Sequence, residues 1–139
     1  MSKKIKIINQ LFSQKSFTQK DKNIIKEVIK KLDSGEIRIA EKISNNWVIN
    51  EWIKKAILLY FKTQKMETIK LDPFEFHDKI PLKKEFKNKK IRVVPHAIVR
   101  YGSFVNENVI LMPSYINIGA YVDSGTMIDT WATVGSCAQ

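Results

Sequence analysis

Apolar residues in the first third of the chain recur at helical spacing. Ile24, Ile25, Val28, Ile29 and Leu32 fall on one face of a 3.6-residue turn. Thr18 followed by Asp21 supplies a capping box ahead of them, and Gly35 a stop behind. Ile37 and Ile39 alternate with Arg38 and Ala40 as in a short strand, and Asn45-Asn46 offers a turn before Trp47, Val48 and Ile49, so a small hairpin is expected. Asn50 is placed to cap a further helix, in which Trp52, Ile53, Ala56, Leu59 and Tyr60 form an apolar stripe while Lys54, Lys55 and Lys62 face water. From Asp72 to Lys90 the chain is rich in charge and carries Pro73 and Pro81, which reads as a linker or irregular connection.

Beyond residue 90 the period changes. Ile98, Phe104, Ile110, Ile116, Val122, Ile128 and Val134 fall at intervals of six, and four positions after each comes Gly102, Asn108, Ser114, Ala120, Thr126, Ala132 or Ala138, all small except Asn108. Large-then-small hexads predict a parallel β-helix, each hexad forming one flat side of a triangular coil. Three hexads make a coil, so residues 18 apart should stack: Ile98 under Ile116 under Val134, Phe104 under Val122, Ile110 under Ile128. A helix of 3.6 residues per turn would rotate such positions around its surface. An antiparallel sheet fails because Gly119, Gly125 and Gly135 interrupt the alternation. The expected organisation is therefore a helical or α+β region over 1–71, a linker over 72–90 and the first coils of a β-helix over 91–139.

Composition changes this picture little. The 44% apolar content of 139 residues is enough for a core, although repeat units bury their faces against neighbours and need caps. The net charge of +10 raises nucleic-acid binding. Its distribution argues otherwise: 21 of the 24 basic residues are lysines scattered over the first 90 positions, and the arginines are Arg38, Arg92 and Arg100. No nucleic-acid partner is expected. Cys137 is the only cysteine, so no intrachain disulfide forms and a cytoplasmic setting is expected. Met1 to Phe12 lacks an apolar run of signal-peptide length, and no segment approaches the roughly 20 apolar residues of a membrane span.

The wording inside the hexads is more specific than their period. The run from Leu111 to Gln139, with Asn-Ile-Gly-Ala-Tyr-Val-Asp at 117–123 and Ile-Asp-Thr-Trp-Ala-Thr-Val-Gly-Ser-Cys-Ala-Gln at 128–139, closely resembles the tetrahydrodipicolinate N-succinyltransferase family. Leu32 to Lys42, Trp47 to Phe61 and Ile91-Arg-Val-Val-Pro95 resemble the same family's N-terminal region and its junction with the β-helix. The resemblance implies a left-handed parallel β-helix, a homotrimer with sites between adjacent subunits, and transfer of a succinyl group from succinyl-CoA to tetrahydrodipicolinate with no bound cofactor. Family members are about twice this long, so a truncated chain is expected. The alternative to an active enzyme is a non-catalytic fragment needing a C-terminal piece. His96 stands where many relatives carry a second proline.

Such a reaction needs a cation to hold a substrate carboxylate and a base to take the amine proton. Arg92 lies six residues before Ile98, at an inward position if the repeat extends backward, which puts it at the mouth of the first coil. By resemblance it matches a substrate-binding arginine; otherwise it caps the open end of the stack. Asp129 follows Ile128 at a corner and by resemblance matches the family's active-site aspartate, holding the amine and accepting its proton. Its bland alternative is a corner carboxylate bonding nearby backbone N–H groups, as expected of Asp123. Arg100 is a weaker ligand candidate, equally suited to pairing with Glu107 or another carboxylate. Trp131 and Tyr121 could line a groove or pack on a neighbour, and Cys137 reads as a small packing residue. The only histidines, His77 and His96, precede the repeat, so a histidine base or metal site within the coils is not expected.

Overall fold

The computed structural model describes residues 2–139; Met1, the first residue of the N-terminal segment considered above, lies outside the described residues. Three helices form the first part: α1 (Ser2–Phe12), α2 (Gln19–Asp33) and α3 (Glu51–Thr63). Ile8 and Leu11 of α1, Ile25, Val28, Ile29 and Leu32 of α2, and Ile53, Ala56, Leu59 and Tyr60 of α3 close one apolar core. The capping box ahead of α2 is formed: Asp21 N–H donates to Thr18 Oγ1, and Thr18 N–H donates to Asp21 Oδ2 at 2.9 Å. At its other end Gly35 sits at φ +78°, its N–H donating to Leu32 O and the Glu36 N–H to Lys31 O, the bond pair of a Schellman stop. Among the described residues no helix is long and apolar enough to cross a membrane.

The expected hairpin between α2 and α3 is present with a shifted register. β1 (Ala40–Ile43) and β2 (Asn46–Ile49) pair antiparallel across Ser44 and Asn45, both at positive φ as a tight two-residue turn demands. The turn thus lies one residue before Asn45-Asn46. Ile37 and Ile39 are in no strand; each is 6% exposed, spent on the helical core instead. Asn50 stands at the start of α3, but its amide does not cap the helix. It donates to Arg38 O and Glu41 Oε1, tying the hairpin's base to the helix start.

The stretch over 72–90 is more ordered than its charge suggests. β3 (Glu67–Leu71) and β4 (Phe74–Asp78) form an antiparallel hairpin that straddles position 72, and Phe86–Lys89 is a 3-10 turn. Alternation had been masked by the charged outer positions: Ile69 faces Phe76 and Leu71 faces Phe74 across the ladder.

From Arg92 onward the chain visits three parallel sheets in rotation. One holds β5 (Arg92–Val93), β8 (Ile110–Leu111) and β11 (Met127–Ile128). The second holds β6 (Ile98–Val99), β9 (Tyr115–Ile116) and β12 (Thr133–Val134), and the third β7 (Phe104–Val105) and β10 (Tyr121–Val122). Stacking at a distance of one full rotation is as expected, but the frame is not. Val99 pairs with Ile116, Val105 with Val122 and Leu111 with Ile128, each 17 residues apart, whereas Val93–Leu111 and Ile116–Val134 are 18 apart.

The inward column is therefore Val93, Val99, Val105, Leu111, Ile116, Val122, Ile128 and Val134, with one step of five. Ile98, Phe104 and Ile110 belong to the outward column, beside Tyr115 and Tyr121. The cause is a short corner. The other corners turn on two residues, the second at positive φ in six of them (Gly102, Asn108, Gly119, Gly125, Trp131 and Cys137) but not at Pro95-His96; the connection Met112-Pro113-Ser114 is one residue shorter.

The helical part rests on one column of corners. Added Cβ atoms at Gly102 and Gly119 would lie 2.9 Å from Ile118 and 2.8 Å from Ile57, so these two glycines are required by close approach as well as by φ. Asp33, at the end of α2, accepts from Lys83 Nζ at 2.5 Å and from the Gly102 N–H at 2.8 Å, joining helix, connector and sheet at one carboxylate. Burial pushes the Lys83 ammonium's pKa down, against the opposing pull of Asp33.

Two stability measurements check this arrangement. Asp33→Ala strands a Lys83 side chain that is only 7% exposed and should cost about 3–5 kcal/mol in urea unfolding, largely recovered by adding Lys83→Met. Leu111→Ala should cost about 2–5 kcal/mol and Ile110→Ala no more than about 1 kcal/mol. The reverse order would restore the uninterrupted six-residue frame.

Candidate functional site

Arg92 and Asp129 both belong to the first parallel sheet. Arg92 is on β5, and Asp129 follows the last residue of β11, with β8 between them. Two strand spacings separate their rungs by about 10 Å. Because Val93 is the inward residue, Arg92 stands on the outer face and is exposed, in one column with Ile110 and Met127. The inward position expected for it at the mouth of the stack is thus corrected by one residue. Among the described residues no carboxylate pairs with its guanidinium. It is therefore available to grip an incoming carboxylate with paired donors.

Asp129 makes the local bond that its bland alternative foresaw: Oδ1 accepts from the Thr130 N–H at 2.7 Å. The comparison with Asp123 is informative. Asp123 Oδ1 accepts from the Ser124 N–H and also from Asn106 Nδ2, one rotation back. The Asn106 amide, with the Ser124 N–H behind it, holds the Asp123 carboxyl below its usual range. At the matching place beneath Asp129 the chain has Met112, which offers no donor. Asp129 is thus exposed and braced on one oxygen, with no lateral amide.

At the short corner lies a cleft of about 180 Å³, lined by His96, Ile98, Ser114, Tyr115, Trp131 and Thr133 among others, with neither Asp129 nor Arg92 in its wall. Trp131 takes the positive-φ corner position at +61° and is 79% exposed, its ring 5.6 Å from that of His96. Ser114 is 7% exposed, and its Oγ has no hydrogen-bond partner among the described residues. Hydroxyls at equivalent corners are satisfied: Ser103 Oγ donates to Arg100 O and Thr126 Oγ1 to Asp123 O, three residues back in each case. At the shortened corner the third residue back is Leu111, itself in the strand, so Ser114 loses that acceptor. Sequence reasoning passed over Ser114 because an unbroken period of six made it one more small corner residue.

The remaining candidates are structural. Arg100 pairs with Asp78 instead of Glu107, donates to Asn117 Oδ1 and lies over the Phe61 ring, fastening the second hairpin to the sheets. Cys137 packs against the helical core, as its size suggested. Tyr121 lies under the Arg38 guanidinium at 3.7 Å and against Phe104. A larger groove, about 680 Å³, lies wholly within the helical part between Lys3 and Trp52 and contains neither Arg92 nor Asp129.

Comparison with known proteins supplies the family. Residues 5–63 match the model of the tetrahydrodipicolinate N-succinyltransferase N-terminal domain. A 2,3,4,5-tetrahydropyridine-2,6-dicarboxylate N-succinyltransferase of Acinetobacter baylyi is 46% identical over 151 aligned positions, covering 100% of this chain and 55% of the relative. Those of a Wolbachia species and of Buchnera aphidicola are 50% and 48% identical, covering 91% and 96% of this chain and 49% and 53% of their own lengths. The chain spans about half the length of the curated relatives it matches. The similarity runs through helices, connector and stacked strands alike, and residues 5–63 match the N-terminal domain of the tetrahydrodipicolinate N-succinyltransferase family.

Proposed function

We propose that the chain serves succinyl-CoA-dependent N-succinylation of tetrahydrodipicolinate, a step of lysine biosynthesis through diaminopimelate, in the cytoplasm and without a bound cofactor. The stacked sheets are read as a left-handed parallel β-helix built on hexads, assembled as a homotrimer with sites between neighbouring subunits. Rotation of the chain through three parallel sheets, with left-handed residues at the corners, supports that architecture. The observation that carries the chemical reading is the contrast at the corners: Asp129 lacks the lateral amide that engages Asp123.

In this reading Arg92 holds one carboxylate of the acceptor by paired N–H donors. Asp129 orients the amine of the opened ring and takes its proton as the nitrogen attacks the thioester carbonyl carbon. The C–N bond forms, the C–S bond breaks, and CoA leaves as a thiolate that is then protonated. Since the thioester is already activated, holding amine and carbonyl together supplies much of the acceleration.

Release of CoA from succinyl-CoA in the presence of tetrahydrodipicolinate measures the reaction. Asp129→Asn should lower kcat by about 10² to 10⁴, while Asp123→Asn stays near the unmodified rate. A normal rate for Asp129→Asn returns that residue to a corner brace. Arg92→Lys keeps the charge but loses the paired geometry, and should raise KM for the acceptor by roughly tenfold or more.

A further inference from the structure

Three features meet in the corner cleft, and proton transfer at Asp129 uses none of them. The first is Trp131. A positive φ strains any bulky L-residue, and the preceding corner in sequence carries Gly125, with nothing within 4 Å of an added Cβ. Glycine would relieve Trp131 of that strain, yet the chain keeps an indole that is 79% exposed and so packs little core. The second is Ser114, whose buried hydroxyl loses its usual acceptor to the short corner. A buried donor without a partner is costly unless something supplies an acceptor. The third is the cleft itself, with Ile98, Tyr115 and Trp131 for walls and the His96 ring tilted against the indole at 5.6 Å.

Size and chemistry select the occupant. At about 180 Å³ the cleft is smaller than sites for drug-sized ligands, which run from about 300 Å³, so it takes one end of a small molecule and not CoA. Apolar walls from Ile98, Pro113 and Trp131 beside the hydroxyl-bearing Ser114, Tyr115 and Thr133 suit a carboxylate on an aliphatic body. The relatives are named for a six-membered ring bearing carboxylates at positions 2 and 6. The geometry points to this cleft as the seat of one carboxylate-bearing end of the acceptor, with Ser114 Oγ–H donating to the carboxylate and the Trp131 indole covering the adjoining aliphatic carbons of the opened ring. This assignment rests on the reading of the Asp129 corner given above. It adds Ser114 and Trp131 as substrate-binding residues, leaving Arg92 to the carboxylate at the other end.

The test is calorimetric titration of pimelate, the open-chain dicarboxylate with the same seven carbons, into the intact protein and three variants. Ser114→Ala should weaken binding roughly ten- to hundredfold, the scale of one hydrogen bond to a charged group, without lowering the thermal midpoint. Trp131→Gly should weaken binding while the midpoint holds or rises, because the strain is removed. Asp123→Asn should leave pimelate affinity within a few fold, since that carboxylate stands on another corner and bonds to Asn106 and Ser124. Unchanged affinity in both cleft variants, or no binding to the unmodified protein, overturns the assignment. So does a Trp131→Gly protein that melts earlier and binds as before, which makes the indole a packing residue. If pimelate binding follows the cleft variants while no succinyl transfer is detected, the cleft stands and the proposed reaction falls.

Discussion

Every strand of the stacked half is two residues long, so no rung is stable by itself and each must find its hydrogen-bond partner one rotation away. Register between rungs is the constraint on which the rest depends. It is set from inside by the aliphatic column from Val93 to Val134 and from outside by corners that turn in the left-handed region of backbone space. A slip of one residue would carry that whole column to the outer face. The one short corner, at Pro113, is therefore absorbed on both sides of it: pairs that span it are 17 residues apart and pairs that do not are 18 apart.

That register also decides where the helical part can sit. Its helices approach the column of corners that contains Gly102 and Gly119, where the absence of a side chain lets Ile29, Ile39 and Ile57 come close to backbone. Asp33 anchors the contact through the Gly102 N–H and Lys83, and Gly35 meets the Phe104 ring at a distance that admits no Cβ. The glycine that stops α2 and the glycines that turn the corners thus meet a second demand from the same interface. Their positions in the sequence encode docking as well as turning.

Much of this was legible in the residues. The α2 and α3 stripes, the capping box, the Gly35 stop and the stacking of parallel strands all follow from period and turn chemistry. The frame was not, because the outward column of the first rungs, Ile98, Phe104 and Ile110, is as apolar as the inward Val99, Val105 and Leu111. Periodicity cannot rank two adjacent apolar columns. The glycines could have: Gly102 and Gly119 are both corner residues, and their separation of 17 is not a multiple of six. Of the proposed site, Asp129 and Arg92 enter through resemblance and local pattern, but Ser114 does not. Its orphaned hydroxyl comes from a missing corner residue, which only the correct frame reveals.

The three columns of corners then differ by what stands on them. One is covered by helices and uses glycine where space is short. Another, with Glu107, Asn108, Ser124 and Gly125, is exposed; the Gly125 N–H donates to Glu107 O one rotation back and the Asn108 N–H to Lys89 O of the 3-10 turn. The third carries Asp129, Trp131, Ser114 and His96, and it alone combines a strained aromatic, an unpartnered buried hydroxyl and a carboxylate without a lateral amide. Each of these lowers the stability of the empty fold or leaves a polar group under-used, and the neighbouring corners show that the same backbone is built without them. Local choices that oppose folding in this way are expected where a surface is shaped for a ligand. Their concentration on one corner column, two rungs from an unpaired arginine, is the observation on which the proposed site rests.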